Sequence, residues 1–242
     1  MNDHSFFLQS GSAKLFCTDI PADLPNADTI IFLHGNSEEQ GYFEHQVSSF
    51  RGKYRLVLMD SRGHGKSSCG NKPLDFTLFS QDLLRLMDHL HIKKAHLLGF
   101  SDGGNLALTF ALSHPERVGS LILNGANLSP SGVKLPVQLP TVLSYGIYSA
   151  LSPFSPKASL HKRLYGLMVN HPHISVAELR SIRIPAMVIV GDHDMIKDSH
   201  SRLIARSLPS CRFVSLEGAD HFCAAGAPDA FNHQVENFLN SL

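Results

Sequence analysis

The chain has 242 residues, 43% of them hydrophobic and 17% charged, and its formal net charge at pH 7 is zero. A chain of this length and apolar content buries one core with room for a small insertion, which argues against two independent domains. Because the charges balance, no general attraction for nucleic acid or anionic lipid arises. We therefore expect no nucleic-acid binding and no stable membrane association.

The first residues and the cysteine pattern indicate the compartment. Residues 1–5 lack the basic start and the apolar stretch of a secretion signal, which predicts a cytoplasmic protein. The four cysteines are widely spaced and form no Cys-x-x-Cys pair, so we expect no disulfide. Fifteen histidines are present without metal-ligand spacing, and we expect no metal and no other cofactor.

Along the first part of the chain, apolar runs typical of strands alternate with stretches typical of helices. Residues 6–8 and 13–18 predict a leading hairpin, and residues 29–33 predict a buried strand. A helix is expected over residues 38–50, and a strand over residues 54–59. This alternation favours an α/β fold with a mostly parallel sheet covered by helices on both faces.

Two later segments carry a clear helical periodicity. Their apolar residues recur at intervals of three and four, which places them on one helix face. The first set is Phe76, Phe79, Leu83, Leu86, Met87 and Leu90. The second set, in an expected closing helix, is Phe231, Val235, Phe238, Leu239 and Leu242. Both helices are expected to lie on the sheet through these faces.

The most informative motif is Gly-Phe-Ser-Asp-Gly at residues 99–103, with Ser101 at its centre. It follows a strand-like run over residues 95–100 and precedes a helix-forming run that ends at His114 and Pro115. A serine at such a turn takes a strained backbone conformation that pushes its hydroxyl outward, and the flanking glycines prevent collisions between strand and helix. The pattern predicts a nucleophilic serine.

A serine hydroxyl needs a base and an orienting carboxylate, and both residue types follow later strands. Asp192 and Asp194 follow a buried-strand run over residues 185–190, and His221 follows another strand-like run. The order Ser101, Asp194, His221 is the one expected of a nucleophile-elbow hydrolase. Asp192 is the alternative acid, because only two residues separate it from Asp194.

These segments resemble the α/β-hydrolase family. Residues 29–36, Thr-Ile-Ile-Phe-Leu-His-Gly-Asn, are similar to the family's strand and oxyanion loop, and residues 60–67 are similar to its Asp-x-Arg-Gly-His-Gly-x-Ser turn. The resemblance covers roughly residues 28–126 and 182–242. It implies the α/β-hydrolase fold, a mostly parallel sheet of about eight strands flanked by helices, with a short helical cap.

Within the family, residues 99–104 and 124–127 are most similar to the valacyclovir hydrolase-like (biphenyl hydrolase-like) serine esterases, which cleave carboxylic and aminoacyl esters. In that family the acid follows the glycine by three positions. The resemblance therefore favours Asp194, three residues after Gly191, over Asp192.

The resemblance also implies a role for each catalytic residue. Ser101 attacks an ester carbonyl, His221 removes the serine proton, and Asp194 holds the imidazole in the correct tautomer. The backbone N–H groups of Asn36 and Asp102 form the oxyanion hole.

Substrate binding is expected at Asp102 and Gly35. In the valacyclovir hydrolase-like enzymes, the aspartate that matches Asp102 is associated with the substrate's α-ammonium group, which suggests an aminoacyl ester. The alternative is that the Asp102 carboxylate interacts with the N-terminus of the following helix, where a negative charge is favourable.

Residues 127–181 interrupt the alternation, and we expect them to form a cap inserted between core segments 1–126 and 182–242. From residue 135 to 156 there is no charged residue, and four prolines argue against one long helix and against a membrane span. The cap is either a lid whose apolar side lines a pocket above Ser101, or a structural element that does not touch substrate. Residues 117–177 contain no Asp or Glu.

The sequence therefore predicts a serine hydrolase that cleaves a carboxylic ester of a small molecule through an acyl-enzyme, with an α-amino acid ester as one form of the substrate. Carbon–carbon bond hydrolysis of a ring-cleavage product and thioester cleavage use the same three residues and stay open. A non-catalytic ligand receptor on this fold is a further alternative. We expect a monomer or a homodimer.

Overall fold

A computed structural model of the chain describes residues 3–242. Residues 1 and 2 lie outside this range. They are two of the five residues on which the expectation about a secretion signal rests. The eight strands of this range are β1 His4–Ser10, β2 Ala13–Ile20, β3 Thr29–Leu33, β4 Arg55–Met59, β5 Ala95–Phe100, β6 Val118–Asn124, β7 Ala186–Gly191 and β8 Cys211–Leu216.

The strands form one sheet in the order β1-β2-β4-β3-β5-β6-β7-β8. The pairs β1/β2 and β2/β4 are antiparallel, and all other neighbours are parallel. The predicted mostly parallel sheet of about eight strands is confirmed. The leading hairpin is confirmed as well, and its turn uses Gly11 with a positive φ of 58°.

The α-helices of the described residues are α1 Glu44–Phe50, α2 Phe76–His89, α3 Asp102–Ser113, α4 Leu135–Leu151, α5 Pro156–Asn170, α6 Val176–Ser181, α7 Asp198–Ser207, α8 Cys223–Gly226 and α9 Pro228–Leu239. Helices α4, α5 and α6 lie between β6 and β7 in the chain. No helix among residues 3–242 combines the length and the apolar content that crossing a bilayer requires.

Both faces of the sheet are covered, so its central strands carry apolar side chains on both sides. In β3, Ile31 and Leu33 belong to one apolar cluster, whereas Ile30 and Phe32 belong to another. The first cluster includes residues of α2, α3 and α7, and the second includes residues of α1 and α9. The core therefore consists of two apolar layers with the sheet between them.

Three local predictions differ from the structure. Within residues 38–50, the α-helix begins only at Glu44, after a 3₁₀ turn whose Gln40 N–H donates to Asp60 Oδ1 at 2.9 Å. The closing helix ends at Leu239, and Leu242 is exposed instead of packed. The prolines of residues 135–156 argue against one long helix, yet α4 spans Leu135–Leu151 with Pro140 inside it, and only Pro156 of this segment belongs to α5.

The parallel strands place the candidate site residues along one edge of the sheet. Gly35 and Asn36 follow β3, Ser101 follows β5, Asp194 follows β7, and His221 follows β8. In an open parallel sheet, the carboxyl ends of the strands are where ligands bind. The topology therefore brings segments that are far apart in sequence to one crevice.

Candidate active site

Ser101 occupies a sharp turn between β5 and α3. Its φ of 53° and ψ of −116° lie in a region that side-chain-bearing residues rarely adopt. The Ser101 N–H donates to the Asn124 carbonyl at 2.7 Å, and its own carbonyl accepts from Gly104 N–H at 2.9 Å. The strained serine predicted from the motif is confirmed, and backbone hydrogen bonds hold it.

The glycines around Ser101 are required by close backbone approach. A Cβ added to Gly99 would lie 2.3 Å from the Gly103 carbonyl oxygen. A Cβ added to Gly103 would lie 1.9 Å from the Leu33 carbonyl oxygen of β3. Both distances are far inside van der Waals contact, so the predicted collision between strand and helix is a property of this turn.

Asp194 and His221 form a buried pair. His221 Nδ1 lies 2.7 Å from Asp194 Oδ1, and both side chains are about 95% buried, with exposed fractions of 5% and 4%. Asp194 Oδ1 also accepts the Ile196 N–H at 2.8 Å. Because a carboxylate oxygen accepts here, His221 Nδ1 carries a proton, and in the neutral imidazole Nε2 keeps its lone pair.

Gly125 supports this pair, and the sequence reasoning assigned it no role. Gly125 directly follows β6 and has a positive φ of 62°. A Cβ added to Gly125 would lie 2.7 Å from His221 Cε1 and 3.3 Å from Asp194 Oδ2. The Asn-Gly sequence after a buried strand is the available signal. On another side, the Phe100 ring contacts the His221 ring, with centroids 4.9 Å apart.

The residues after β3 reach the serine turn. A Cβ added to Gly35 would lie 3.2 Å from Ser101 Cβ, so the loop passes directly beside the serine. Within residues 3–242, neither the Asn36 N–H nor the Asp102 N–H donates a hydrogen bond. Two unpaired backbone donors on either side of a serine are what an oxyanion hole requires.

The structure brings together some of the predicted site residues by direct contact and others only by proximity. Asp194 contacts His221, and Asn36 contacts Asp102. Across the described range, no hydrogen bond joins the Ser101 hydroxyl to the His221 ring. Catalytic hydrogen bonds are often long in unliganded sites and shorten when substrate binds.

The Asp102 carboxylate is held by two amide groups. Asn36 Nδ2 donates to Oδ2 at 3.0 Å, and Asn105 Nδ2 donates to Oδ1 at 3.3 Å. Burial raises the pKa of Asp102 to about 6, although the two amide hydrogen bonds act in the opposite direction. In the part of the chain that the structure covers, no cationic side chain forms an ion pair with it. Asp102 is therefore a partly buried carboxylate without a counterion.

A small amide network extends from Asp102, and sequence reasoning assigned its members no catalytic role. Asn105 Nδ2 also donates to Asn127 Oδ1 at 3.0 Å, and the Asn127 N–H donates to Asn105 Oδ1 at 2.9 Å. Asn36 Nδ2 makes a second bond to the Leu164 carbonyl of α5 at 3.1 Å. The network therefore links the serine turn, the oxyanion loop and α5.

Two buried histidines support the loops and do not act as bases. His34 Nε2 accepts the Ser61 N–H at 2.9 Å, and His34 Nδ1 donates to the Gly35 carbonyl at 2.8 Å. Desolvation lowers the pKa of His34 and that of His64 to about 4. Both rings are therefore neutral at pH 7.

Asp192, the alternative acid, lies apart from the buried pair. The Asp192 carboxylate is exposed, and its Oδ1 lies 3.8 Å from Nε2 of the exposed His193. His221 makes its carboxylate contact with Asp194 and not with Asp192. The geometry therefore favours Asp194.

A cavity of about 50 Å³ opens beside the serine. It is lined by Ser101, Asp102, Asn127, Val133, Val137, Gln138, Thr141, Met168, His171, Met195 and Ile196. These lining residues include no lysine and no arginine, and burial lowers the pKa of His171, which keeps that ring neutral. Apart from the Asp102 carboxylate, the cavity is uncharged. Among residues 3–242, no group of three or more His, Cys, Asp or Glu side chains is arranged to hold a metal ion.

Comparison with known proteins agrees with this architecture. The family model of the alpha/beta hydrolase fold matches residues 28–146. A 2-hydroxy-6-oxononadienedioate/2-hydroxy-6-oxononatrienedioate hydrolase of Cupriavidus pinatubonensis is 30% identical over 94% of this chain and 91% of its own length. The uncharacterized carboxylesterase nap of Bacillus subtilis is 27% identical over 98% of this chain and 87% of its own length. The crystal structure of the enol-lactonase from Burkholderia xenovorans LB400 has a TM-score of 0.82 at 22% identity, covering 97% of this chain and 99% of that one.

The sheet order and the strained serine turn define a hydrolase of the nucleophile-elbow type. The chain belongs to the α/β-hydrolase fold family and is an α/β-hydrolase enzyme. The predicted family is thereby confirmed, and the narrower resemblance to valacyclovir hydrolase-like esterases stays a prediction.

Proposed function

We propose that this enzyme cleaves a carboxylic ester of a small molecule through an acyl-enzyme on a Ser101–His221–Asp194 triad. The observation that carries the proposal is the buried 2.7 Å contact between His221 Nδ1 and Asp194 Oδ1, at the sheet edge where Ser101 sits in its strained turn. The Asp194 contact fixes the tautomer in which His221 Nε2 can accept a proton.

The mechanism follows from these positions. Ser101 Oγ attacks the ester carbonyl while His221 Nε2 takes the serine proton, and the resulting imidazolium is stabilised by Asp194. The negative oxygen of the tetrahedral intermediate accepts from the Asn36 and Asp102 N–H groups, and one such donor contributes about 3 kcal/mol in typical cases. The imidazolium then protonates the leaving alcohol, and water hydrolyses the acyl-enzyme with His221 again as base.

The cavity supports a neutral or cationic substrate. Its single charged lining residue is Asp102, whose carboxylate has no counterion in the described range. A positively charged group beside Ser101 would neutralise this partly buried charge, which supports an α-amino acid ester as the preferred form. Gly35 would contact the same substrate, because its loop passes beside Ser101 Cβ.

Carbon–carbon bond hydrolysis is the second candidate, and the name of the Cupriavidus relative favours it. An acidic ring-cleavage product carries a carboxylate that needs a cationic or strongly donating partner. The cavity lining offers no lysine or arginine for that purpose, and the Asp102 carboxylate would repel it. The charge of the cavity therefore supports the ester over the acidic ketone.

We also propose that residues 127–181 act as the cap of this site. Val137, Gln138 and Thr141 of α4 and Met168 of α5 line the cavity beside Ser101. A cavity of about 50 Å³ is well below the 300–1,000 Å³ of ordinary ligand pockets. Movement of these helices would enlarge it when substrate binds.

The test compares Ser101→Ala with wild type on nitrophenyl esters of increasing acyl length, with and without an α-amino group. We expect Ser101→Ala to lose at least about a thousandfold in kcat while its thermal unfolding stays unchanged. A fluorophosphonate should label Ser101 in the wild type, and mass spectrometry of the digested protein identifies the labelled residue.

The matched control is Ser113→Ala, at the exposed end of α3, which should keep full activity and labelling. Hydrolysis by Ser101→Ala at the wild-type rate would refute the acyl-enzyme mechanism. Equal kcat/KM for an amino ester and its des-amino analogue would remove the ammonium preference, and higher activity on an acidic ketone than on any ester would favour the second candidate.

A further inference from the structure

Helix α4 presents an unusually apolar face to solvent. None of its 17 residues is buried, and large apolar side chains with exposed fractions from 42% to 85% follow one another along it and into the next turn. They are Leu135, Leu139, Val142, Leu143, Ile147, Leu151 and Phe154. We call this set the α4 face. Exposed apolar patches of such extent mark interaction surfaces in soluble proteins.

The α4 face is not the side of the helix that serves the active site. Val137, Gln138 and Thr141 line the cavity beside Ser101 and are only partly exposed. The α4 face lies at other positions of the same helix, so it is not needed for lining that cavity. A 17-residue helix is about 25 Å long, so the face is long enough for extended contact with a partner.

Positive charges flank both ends of the α4 face. Lys134 precedes the helix and is exposed, and Lys157 follows Phe154 and is exposed. Lys197 lies near the first end, because its Nζ donates to the Ser131 carbonyl at 2.8 Å. The nearby Asp198 carboxylate is paired with Arg202 at 2.8 Å. Residues 117–177 contain no Asp or Glu, so nothing within this segment neutralises Lys134 and Lys157.

This charge pattern disfavours a second copy of the chain as the partner. In a symmetric antiparallel pairing through the α4 face, Lys134 of one copy would approach Lys157 of the other. In a symmetric parallel pairing, each lysine would approach its own counterpart. Both arrangements bring like charges together at the rim of an apolar contact, with no carboxylate in the segment to offset them.

We infer that the α4 face docks reversibly on an anionic lipid surface. Its apolar side chains would enter the boundary between headgroups and acyl chains, and Lys134 and Lys157 would contact the anionic headgroups. The zero net charge of the chain does not oppose this binding, because charges act within about 8 Å at physiological salt and the local segment is positive. The inference concerns binding and does not depend on the proposed reaction.

The test is co-sedimentation with vesicles. Wild type should bind vesicles of equal parts phosphatidylglycerol and phosphatidylcholine, should bind pure phosphatidylcholine vesicles at least about tenfold more weakly, and should be released by high salt. The double variant Leu143→Ser/Ile147→Ser should lose at least about tenfold in binding, because two apolar side chains no longer enter the lipid. Lys134→Glu/Lys157→Glu should lose the preference for anionic vesicles.

The matched control is Phe7→Ser/Leu203→Ser, which removes two exposed apolar side chains on β1 and α7. It should bind vesicles as wild type does. Absence of wild-type binding to the anionic vesicles, or equal loss in the control, would overturn the inference. Size-exclusion chromatography tests the alternative occupant of the α4 face. If wild type is a dimer that Leu143→Ser/Ile147→Ser dissociates, and wild type does not bind vesicles, the α4 face contacts a second copy and the lipid inference is overturned as well.

Discussion

Replacing Asp194 by asparagine tests how the acid acts on His221. Asp194 Oδ1 accepts both His221 Nδ1–H at 2.7 Å and the Ile196 N–H at 2.8 Å, whereas the buried Oδ2 has no partner within the described residues. An asparagine NH₂ at the Oδ1 position would face the Ile196 donor, so the amide oxygen takes that position. The hydrogen bond and the imidazole tautomer are therefore retained, and the variant removes the negative charge.

The size of the effect follows from this charge. With about 4 Å between the charge centres and an effective dielectric constant of about 20, the imidazolium–carboxylate attraction is about 4 kcal/mol. Since each 1.36 kcal/mol changes the rate tenfold, kcat of Asp194→Asn should fall by about a thousandfold. The new NH₂ at the Oδ2 position lacks an acceptor, which destabilises the fold by about 1–3 kcal/mol and leaves the protein folded at room temperature.

The assay is steady-state hydrolysis of a nitrophenyl ester by Asp194→Asn and by Asp192→Asn, each checked by thermal unfolding. Asp192→Asn should retain wild-type kcat, because its exposed carboxylate contacts His193 and not His221. A loss of less than tenfold in Asp194→Asn would refute the charge argument. An equal or larger loss in Asp192→Asn would move the acid role to that residue.

Three further predictions concern charge, packing and stability. The Asp102 carboxylate, whose pKa burial raises to about 6, is charged above that pH and neutral below it. As the pH is lowered from about 7 to about 5, the substrate's ammonium group stays protonated, so the ratio of kcat/KM for an amino ester to kcat/KM for its des-amino analogue should decrease. A ratio that does not change with pH would contradict ammonium binding. In urea unfolding, Gly103→Ala should lose about 3 kcal/mol or more through its clash, while Gly146→Ala, whose added Cβ meets nothing within 4 Å in α4, should gain about 0.5–1 kcal/mol. Arg62→Leu should lose about 3–5 kcal/mol because it leaves Asp82 buried without its 2.8 Å partner, and Arg62→Leu/Asp82→Leu should lose clearly less.

The elements that the sequence predicted well are those with a local signal. The apolar face of α2 is an example, because Phe76, Phe79 and Leu83 recur at helical spacing and all three are buried against the sheet. Ser101 is another, since a serine between glycines after a buried strand has a specific backbone requirement. In both cases, residues close in sequence determine the conformation.

The details that sequence reasoning missed depend on contacts between distant segments. Gly125 matters because His221 and Asp194 lie against it; the Asn-Gly sequence after β6 indicates a turn there, but it does not indicate which distant side chains approach that turn. The bond from Asn36 to the Leu164 carbonyl depends on where α5 docks. Pro140 remains inside α4, although a proline removes one helical hydrogen bond and local preference disfavours it there.

The serine turn is held by backbone packing, and its reactive side chain contributes little to that packing. The Ser101 N–H bond to Asn124 and the approach of Gly103 to the Leu33 carbonyl fix the conformation, and neither involves the Ser101 hydroxyl. Removing the hydroxyl should therefore abolish activity without changing stability, whereas adding one methyl group at Gly103 should reduce both. If Ser101→Ala loses as much free energy of unfolding as Gly103→Ala does, the Ser101 hydroxyl also stabilises the turn, and the same group then serves both catalysis and stability.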